Sequence, residues 1–160
     1  MADDAPRGDA AEREVARMVE VGAKAVTDRE AVAECTIRMT PDACAQLVAG
    51  TPKGNPLEAA RIAGLMGIKR TPDLLPFCHP ISVTGAEVVV DPDRGEGAIR
   101  IRVTVRATDR TGVEMEALTG AAVAALSLYD TAKAFDRGAV IGELRLVSKR
   151  GGKSGEYRAP

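Results

Sequence analysis

Alternating apolar and polar positions predict four β-strands along the chain. In the clearest case, over residues 98–107, four aliphatic residues are separated by arginine and threonine. A period of two is typical of a strand that buries one face and exposes the other. Weaker alternations over residues 34–39, 81–90 and 140–148 indicate three further strands. The segment DPDRGEG is expected to join the strands over 81–90 and 98–107 as a hairpin loop.

Three helices are predicted between these strands. The first runs from the capping residue Thr40 to Gly50, and the second from the capping residue Asn55 to about Lys69. The third is indicated by the Ala-rich composition of residues 113–136. In the second helix three small residues, Ala60, Gly64 and Gly67, share one stripe. Each glycine costs about 1 kcal/mol in a helix relative to alanine, so the stripe predicts close approach by a neighbouring element.

The remaining segments have no clear period. Residues 1–14 are predicted to be a disordered tail, and residues 15–33 an arm that packs on another part of the protein. Residues 71–80 contain three prolines and predict a stiff loop. A chain of 160 residues has room for one ordinary domain, which we place at residues 15–160.

The order of elements is β-α-α-β-β-α-β. Counting the two consecutive helices as one connection gives β-α-β-β-α-β, the ferredoxin-like pattern. The expected fold is therefore α+β, with a four-stranded antiparallel sheet and the helices packed on one face.

Composition argues against several classes of protein. The net charge is −1 and the chain has two Phe, two Tyr and no Trp, whereas a nucleic-acid binder usually has a basic surplus and stacking aromatics. No apolar run approaches the ~18 residues of a membrane helix, and the first residues contain no apolar signal segment, so a cytoplasmic protein is expected. The three cysteines form no CxxC pair and His79 is the single histidine, so no metal site is expected.

Lysine is scarce in this chain, which has 16 Arg and 6 Lys. Arginine does not release its proton near neutral pH, whereas the pKa of a lysine amine can be tuned. The retained lysines are therefore candidates for acid–base chemistry, with chance codon usage as the alternative. They are Lys24, Lys53, Lys69, Lys133, Lys149 and Lys153.

Three further features are candidates for a functional site. Asp130 and Lys133 share a helix face, either as a surface ion pair or in a cationic cleft that lowers the pKa of the lysine against the opposing effect of Asp130. Glu114 and Glu116 face the same way if the segment before the third helix is extended, and would then hydrogen-bond a polar heterocycle. The alternative is that they complement the helix dipole. His79 precedes a proline, which fixes its backbone as a ligand contact would require.

The segment GGKS near the C-terminus is not a nucleotide-triphosphate loop. That pattern needs a glycine five residues before Gly152, where this chain has Val147, and a helix has no room to follow. The weaker expectation is a cationic, glycine-rich segment, residues 149–153, that wraps an anion with backbone N–H groups. A frayed, solvated terminus is the alternative.

Taken together, these segments resemble one enzyme family, the cyclic pyranopterin monophosphate synthases of molybdenum cofactor biosynthesis (protein C). The resemblance extends from about Met18 to Tyr157 and is carried by AARIAG, KRTPDLLPFCHP, TGVEMEALTGAAVAALSLYD and GGKSG. All six lysines fall on motif positions. The chain departs from the family pattern at Gly22 and Asn55.

The resemblance implies conversion of 3′,8-cyclo-7,8-dihydroguanosine 5′-triphosphate to cyclic pyranopterin monophosphate and diphosphate. It implies a homohexamer, a trimer of dimers with sites at dimer interfaces. No redox cofactor is implied, because no hydride moves. The matching catalytic positions are Asp130, Lys53 and Lys133. The matching substrate-binding stretches and cationic positions are Phe77, Cys78, His79, Met115, Glu116, Lys69, Lys149 and Lys153, to which the residue pattern adds Glu114.

The alternative function is a non-catalytic ferredoxin-like domain that binds a small ligand or RNA. The strand over residues 98–107 has no aromatic residue for base stacking, which argues against the RNA version. If the chain is an enzyme of this family, Glu116 and Asp130 belong to its active site. They lie about 21 Å apart along the helix axis if both are helical, at about 1.5 Å per residue. One alternative is an extended triphosphate substrate that bridges part of this distance within one chain. We expect the simpler arrangement, in which one active site takes these two residues from different chains.

Overall fold

The computed structural model describes residues 15–160, and the predicted tail over 1–14 lies outside the described residues. Within that range the chain forms three helices and one sheet of five strands. The elements in order are β1 (Thr27–Arg38), α1 (Pro41–Ala49), α2 (Pro56–Leu74), β2 (Val83–Asp93), β3 (Ala98–Asp109), α3 (Glu114–Ala132), β4 (Val140–Arg150) and β5 (Tyr157–Arg158).

The sheet is antiparallel throughout and its strand order is β2-β3-β1-β4-β5. The prediction of an α+β fold is confirmed, but the prediction of four strands is wrong. The fifth strand is formed by two residues of the C-terminal segment, which pair with Ser148 and Lys149 of β4. The segment is therefore folded back on the sheet, and the frayed terminus considered from the sequence is not observed there.

The first strand is longer than predicted. Residues 27–33, interpreted from the sequence as part of an arm, belong to β1, which pairs with β3 on one side and β4 on the other. Ala31 and Ala33 are buried. In the sequence, these small apolar residues show only a faint alternation with polar ones, so a strand is not predicted there. Pairing with β3 and β4 on both sides determines the extended conformation.

Helix α2 continues through a segment that the prolines indicated as a loop. It ends at Leu74 and contains Pro72. The Thr71 hydroxyl donates to the Gly67 carbonyl at 3.1 Å, and the Leu75 N–H donates to the Thr71 carbonyl at 3.0 Å. These bonds maintain the last turn around the proline, so the irregular connection is limited to residues 75–82.

The helices cover one face of the sheet, as predicted. The glycine stripe of α2 packs against α3: a Cβ added at Gly64 would lie 3.2 Å from the Gly120 carbonyl oxygen, and one added at Gly120 would lie 3.3 Å from the Gly64 oxygen. Side chains at these positions would separate the helices. The predicted close approach is confirmed, and it determines where α3 lies across the sheet.

The other face of the sheet is open and carries paired charges. Glu30 accepts from Arg106 Nε at 2.6 Å and from Arg150 Nε at 3.0 Å. Glu34 pairs with Arg102 and with Arg145. Adjacent strands place these opposite charges side by side, so each glutamate of β1 is shared by one arginine of β3 and one of β4, and the charge of the four arginines is offset only in part.

Candidate active site

A cationic cavity of about 610 Å³ lies beside the beginning of α3. It is formed where the segment before β1, the connection from β3 to α3, and the segment after β4 come together. Its charged lining residues are Lys24, Arg29, Arg110, Glu114, Lys149 and Lys153. The cavity therefore combines three of the predicted lysines with one predicted carboxylate, and its net character is positive.

Two arginines hold the walls of this cavity in place. Arg29 donates to the carbonyl oxygens of Asp109 at 3.4 Å and Arg110 at 3.2 Å. Arg110 donates to the Lys24 carbonyl at 3.0 Å and to the Gly22 carbonyl. These bonds tie the N-terminal segment to the connection before α3 and bring Lys24 to the cavity. Sequence reasoning assigned no site role to either arginine, although both lie close to motif residues.

Two glycines allow the segment after β4 to turn into the cavity. Gly151 and Gly152 have φ values of 98° and 76°, a region that favours glycine. An added Cβ at Gly151 would overlap the Asp28 carbonyl oxygen, and one at Gly152 would overlap the Arg29 guanidinium. Lys149 and Lys153, on either side of this turn, both line the cavity.

Lys149 is held by two partners inside the cavity. Its Nζ lies 3.1 Å from Glu114 Oε1 and donates to Ser154 Oγ at 2.9 Å. Both members of the ion pair are partly buried, with 25% of the Lys149 side chain and 28% of the Glu114 side chain exposed. The ammonium group of Lys149 is thus already paired with the Glu114 carboxylate, and an anionic ligand that contacts Lys149 has to compete with Glu114.

Glu116 lies on a different side of α3 from Glu114. The two carboxyl groups would share a side only in an extended segment, and that condition is not met, because α3 begins at Glu114 and both residues are helical, as the predicted helix over residues 113–136 requires. Glu116 is buried and lines a second cavity of about 330 Å³ with Lys69 and Pro80. Burial raises the pKa of Glu116 to about 7, and the charges of Glu114 and Asp109 act in the same direction.

The segment after α2 brings further predicted residues near Glu116. Burial raises the pKa of the Cys78 thiol, and the charge of Glu116 adds to this effect, so the thiol is protonated at neutral pH. His79 is partly buried, whereas Phe77 and Met115 are 56% and 40% exposed. In the described part of the chain, no hydrogen bond or ion pair joins these side chains to one another.

At the other end of α3, two of the three predicted catalytic residues, Lys133 and Asp130, are in contact, and the charge of the third, Lys53, acts on Asp130. Lys133 Nζ donates to Asp130 Oδ1 at 2.7 Å. The Lys133 hydrogen bond and charge lower the pKa of Asp130, and the nearby charge of Lys53 contributes. Lys53 comes from the turn between α1 and α2, where Thr51 and Gly54 exchange backbone hydrogen bonds at 3.0 and 2.9 Å.

The pKa of Lys133 is opposite to one sequence expectation. A crowded cationic cleft was expected to lower it, but the hydrogen bond and charge of Asp130 raise it. The reason is geometric: Asp130 is in direct contact, and both side chains are solvent-exposed, so desolvation has little effect. Within one chain, Lys133 is therefore firmly protonated at neutral pH.

The two ends of α3 do not meet within one chain. The helix is regular over its 19 residues, so Glu116 and Asp130 are separated by about 21 Å along its axis. Residues 15–160 contain no group of three His, Cys, Asp or Glu side chains arranged to hold a metal ion. Among the described helices, none is long and apolar enough to cross a membrane.

Comparison with known proteins identifies the family. The MoaC family model matches residues 18–152. A protein of Parvibaculum lavamentivorans named cyclic pyranopterin monophosphate synthase is 51% identical over 150 residues, which cover 92% of this chain and 93% of the relative. Proteins of the same name from Pelotomaculum thermopropionicum (51% identical, 91% of this chain and 86% of the relative) and Roseiflexus sp. strain RS-1 (52%, 89% and 90%) also match. The chain belongs to the MoaC family.

Proposed function

We propose that this protein is a cyclic pyranopterin monophosphate synthase of molybdenum cofactor biosynthesis. It converts 3′,8-cyclo-7,8-dihydroguanosine 5′-triphosphate to cyclic pyranopterin monophosphate and diphosphate. The observation that carries this proposal is the cationic cavity at the start of α3, on the same helix as the Asp130–Lys133 pair. The relatives that bear this enzyme name match about nine-tenths of the chain, which supports the same conclusion.

The cationic cavity takes the triphosphate. Lys24, Lys149 and Lys153 supply amines to a multiply charged anion, and the turn at Gly151 and Gly152 supplies backbone close to it. Closing a cyclic phosphate expels diphosphate, and the same amines stabilise the charge that develops on this leaving group. Entry of the triphosphate displaces Glu114 from Lys149, which makes that lysine available to the phosphates.

Lys53, Lys133 and Asp130 perform the acid–base steps. The rearrangement breaks and forms C–N and C–O bonds, and each step moves protons. Because Asp130 raises the pKa of Lys133, this lysine carries a proton when the substrate arrives, and its first transfer is a donation. Lys53 is the second exchangeable amine, and Asp130 orients Lys133 through the 2.7 Å bond.

The heterocycle of the substrate lies near Glu116. A carboxyl group with a pKa of about 7 is available both as a hydrogen-bond donor and as an acceptor at neutral pH. Lys69 lines the same cavity. The proposed contacts to the ring system also include Met115, which adjoins Glu116, and Phe77, Cys78 and His79, which directly precede Pro80 in the lining of the same cavity.

We further propose how the chains assemble and how the protein is classified. One complete site takes the Glu116 end of α3 from one chain and the Asp130 end from a second copy, as a closed dimer permits. Three such dimers form a homohexamer. Residues 15–160 are one catalytic domain of ferredoxin-like type, supported by the order β2-β3-β1-β4, with β5 as an addition. The enzyme is a phosphorus–oxygen lyase.

The test is turnover of the cyclised nucleotide by the purified protein. We expect equimolar release of diphosphate and a product with the mass of cyclic pyranopterin monophosphate, and we expect Asp130→Asn to lower the rate of both about 100-fold. The matched control is Glu87→Gln, an exposed carboxyl on β2. Binding of the triphosphate without diphosphate release by the wild-type protein would overturn the proposal in favour of a small-ligand-binding domain.

A further inference from the structure

Asp136 connects the two chain segments that carry Lys133 and Lys53. Its Oδ2 accepts from the backbone N–H of Thr40 at 2.9 Å, and its Oδ1 accepts from the N–H of Gly138 at 2.7 Å. Both oxygens of one partly exposed carboxylate are thus used on backbone donors, one in the turn after α3 and one at the start of α1. None of the motifs considered in the sequence includes Asp136.

On one side, Asp136 is close to the Asp130–Lys133 pair along the chain. Lys133 caps α3, and the turn that follows is tight, because the N–H groups of Phe135 and Asp136 both donate to the Ala132 carbonyl at 2.8 Å. The position of Asp136 is therefore fixed relative to the end of α3, only three residues from Lys133.

On the other side, Asp136 holds the first residue of the segment that leads to Lys53. Thr40 is the N-cap of α1, and its hydroxyl accepts from the Ala43 N–H at 3.3 Å. Helix α1 ends at Ala49, with Gly50 as its C-cap, and the following turn carries Lys53. Nine helical residues span about 13 Å, so a small rotation of α1 about its start moves Lys53 substantially.

We propose that Asp136 is a positioning residue that sets the placement of Lys53 relative to Asp130 and Lys133. It touches neither the substrate nor the reacting atoms. It acts by anchoring α1 to the end of α3, so that amines from two separate segments reach one site. This role rests on the proposed enzymatic function. Misplacement of a catalytic group by about 1 Å can reduce a rate by up to about 100-fold, so such an anchor has a measurable effect.

Two substitutions weaken the Asp136 anchor to different extents. Asp136→Ala removes both hydrogen bonds, and Asp136→Asn retains one acceptor oxygen for two donors. We expect kcat to fall about 10-fold in Asp136→Ala and less in Asp136→Asn, with little change in KM. The control is Asp93→Ala, which removes a carboxylate that accepts from the Glu96 N–H at 3.1 Å in the distant β2–β3 hairpin. It is expected to retain wild-type kcat.

A double-mutant cycle separates positioning from general destabilisation. In a Lys53→Ala background, Asp136→Ala is expected to cause no further loss of kcat per folded molecule, because the group it positions is gone. Full additivity of the two losses would overturn the proposal. So would a kcat of Asp136→Ala equal to that of the wild-type protein.

A distance measurement does not depend on activity. Spin labels at Thr51→Cys and Ala134→Cys, in a Cys78→Ser background diluted with unlabelled protein, report the separation of the two segments within one chain. We expect this distance distribution to broaden or shift in Asp136→Ala and to remain unchanged in Asp93→Ala. An unchanged distribution in Asp136→Ala would refute the anchor even if the proposed reaction is correct, whereas absence of turnover by the wild-type protein would refute only the proposed reaction.

Discussion

The two ends of α3 hold their charges in different ways. At the start of the helix Glu116 is 3% exposed and Lys149 is 25% exposed, whereas at the far end the side chains of Lys133 and Asp130 are 55% and 73% exposed. Burial raises the pKa of Glu116, while direct contact with Asp130 raises the pKa of Lys133. The first end lines two cavities formed within one chain, whereas the second is an open surface, which a further chain completes in the proposed dimer.

The largest effect is expected from the lysines at the exposed end. Lys133→Ala and Lys53→Ala should each lower kcat about 1,000-fold, because each removes an amine that exchanges protons in the proposed reaction. Both lysines are exposed, so the circular dichroism spectrum and the melting temperature of each variant should remain close to those of the wild-type protein.

Arginine substitutions sharpen this prediction. Lys133→Arg and Lys53→Arg retain the positive charge but do not cycle a proton near neutral pH, so neither should restore turnover. Wild-type-like kcat in Lys133→Arg would show that its charge, rather than proton transfer, is what the reaction needs.

The next largest effect is expected from Asp130→Asn. It keeps the size of the side chain but removes the charge that orients Lys133 and raises its pKa. We expect kcat to fall about 100-fold, with little change in the melting temperature because the pair is exposed. If Asp130→Asn instead melts much earlier and keeps its rate per folded molecule, the residue is structural.

Mixing two inactive variants tests whether the two ends of α3 belong to one site in different chains. Glu116→Ala and Asp130→Ala proteins are unfolded and refolded together, and activity is assayed. If the chains combine at random, about half of the dimers are mixed and each has one intact site of two, so about a quarter of wild-type activity should return. Background activity in confirmed mixed oligomers would place both residues in one chain's site.

The last prediction concerns stability rather than activity, at the buried end of α3. The pKa of Glu116 is about 7 in the folded chain against its ordinary value of 4.5, so the folded state retains a proton that the unfolded state releases. The free energy of unfolding should therefore fall as pH rises from about 4.5 to about 7, by up to about 3 kcal/mol.

Urea unfolding at fixed protein concentration measures this dependence. Glu116→Gln, which has no charge to desolvate, should gain stability relative to wild type as pH rises through this window. Glu87→Gln is the exposed control and should follow the wild-type curve. Parallel curves for Glu116→Gln and wild type would show that Glu116 is not responsible.

Much of the fold was predictable because its signals are local. The alternation over residues 98–107 lies within β3, and the caps Thr40 and Asn55 begin α1 and α2 as expected. Errors arose where neighbours decide the conformation. The small residues at the start of β1 form a strand because β3 and β4 pair with them on both sides. The turn around Pro72 is helical because of hydrogen bonds that the number of prolines in residues 71–80 does not reveal.

By itself, the sequence determined which residues are candidates for the chemistry: a few lysines in an arginine-rich chain, the Asp130–Lys133 pair and the glycine-rich segment after β4. Their motifs are local, so they are visible without a fold. Only the tertiary structure decided that Arg29 and Arg110 form the cavity, and that Glu114 and Glu116 line two different cavities. Those properties depend on contacts between residues distant in the chain, and on burial, which sets the pKa of Glu116.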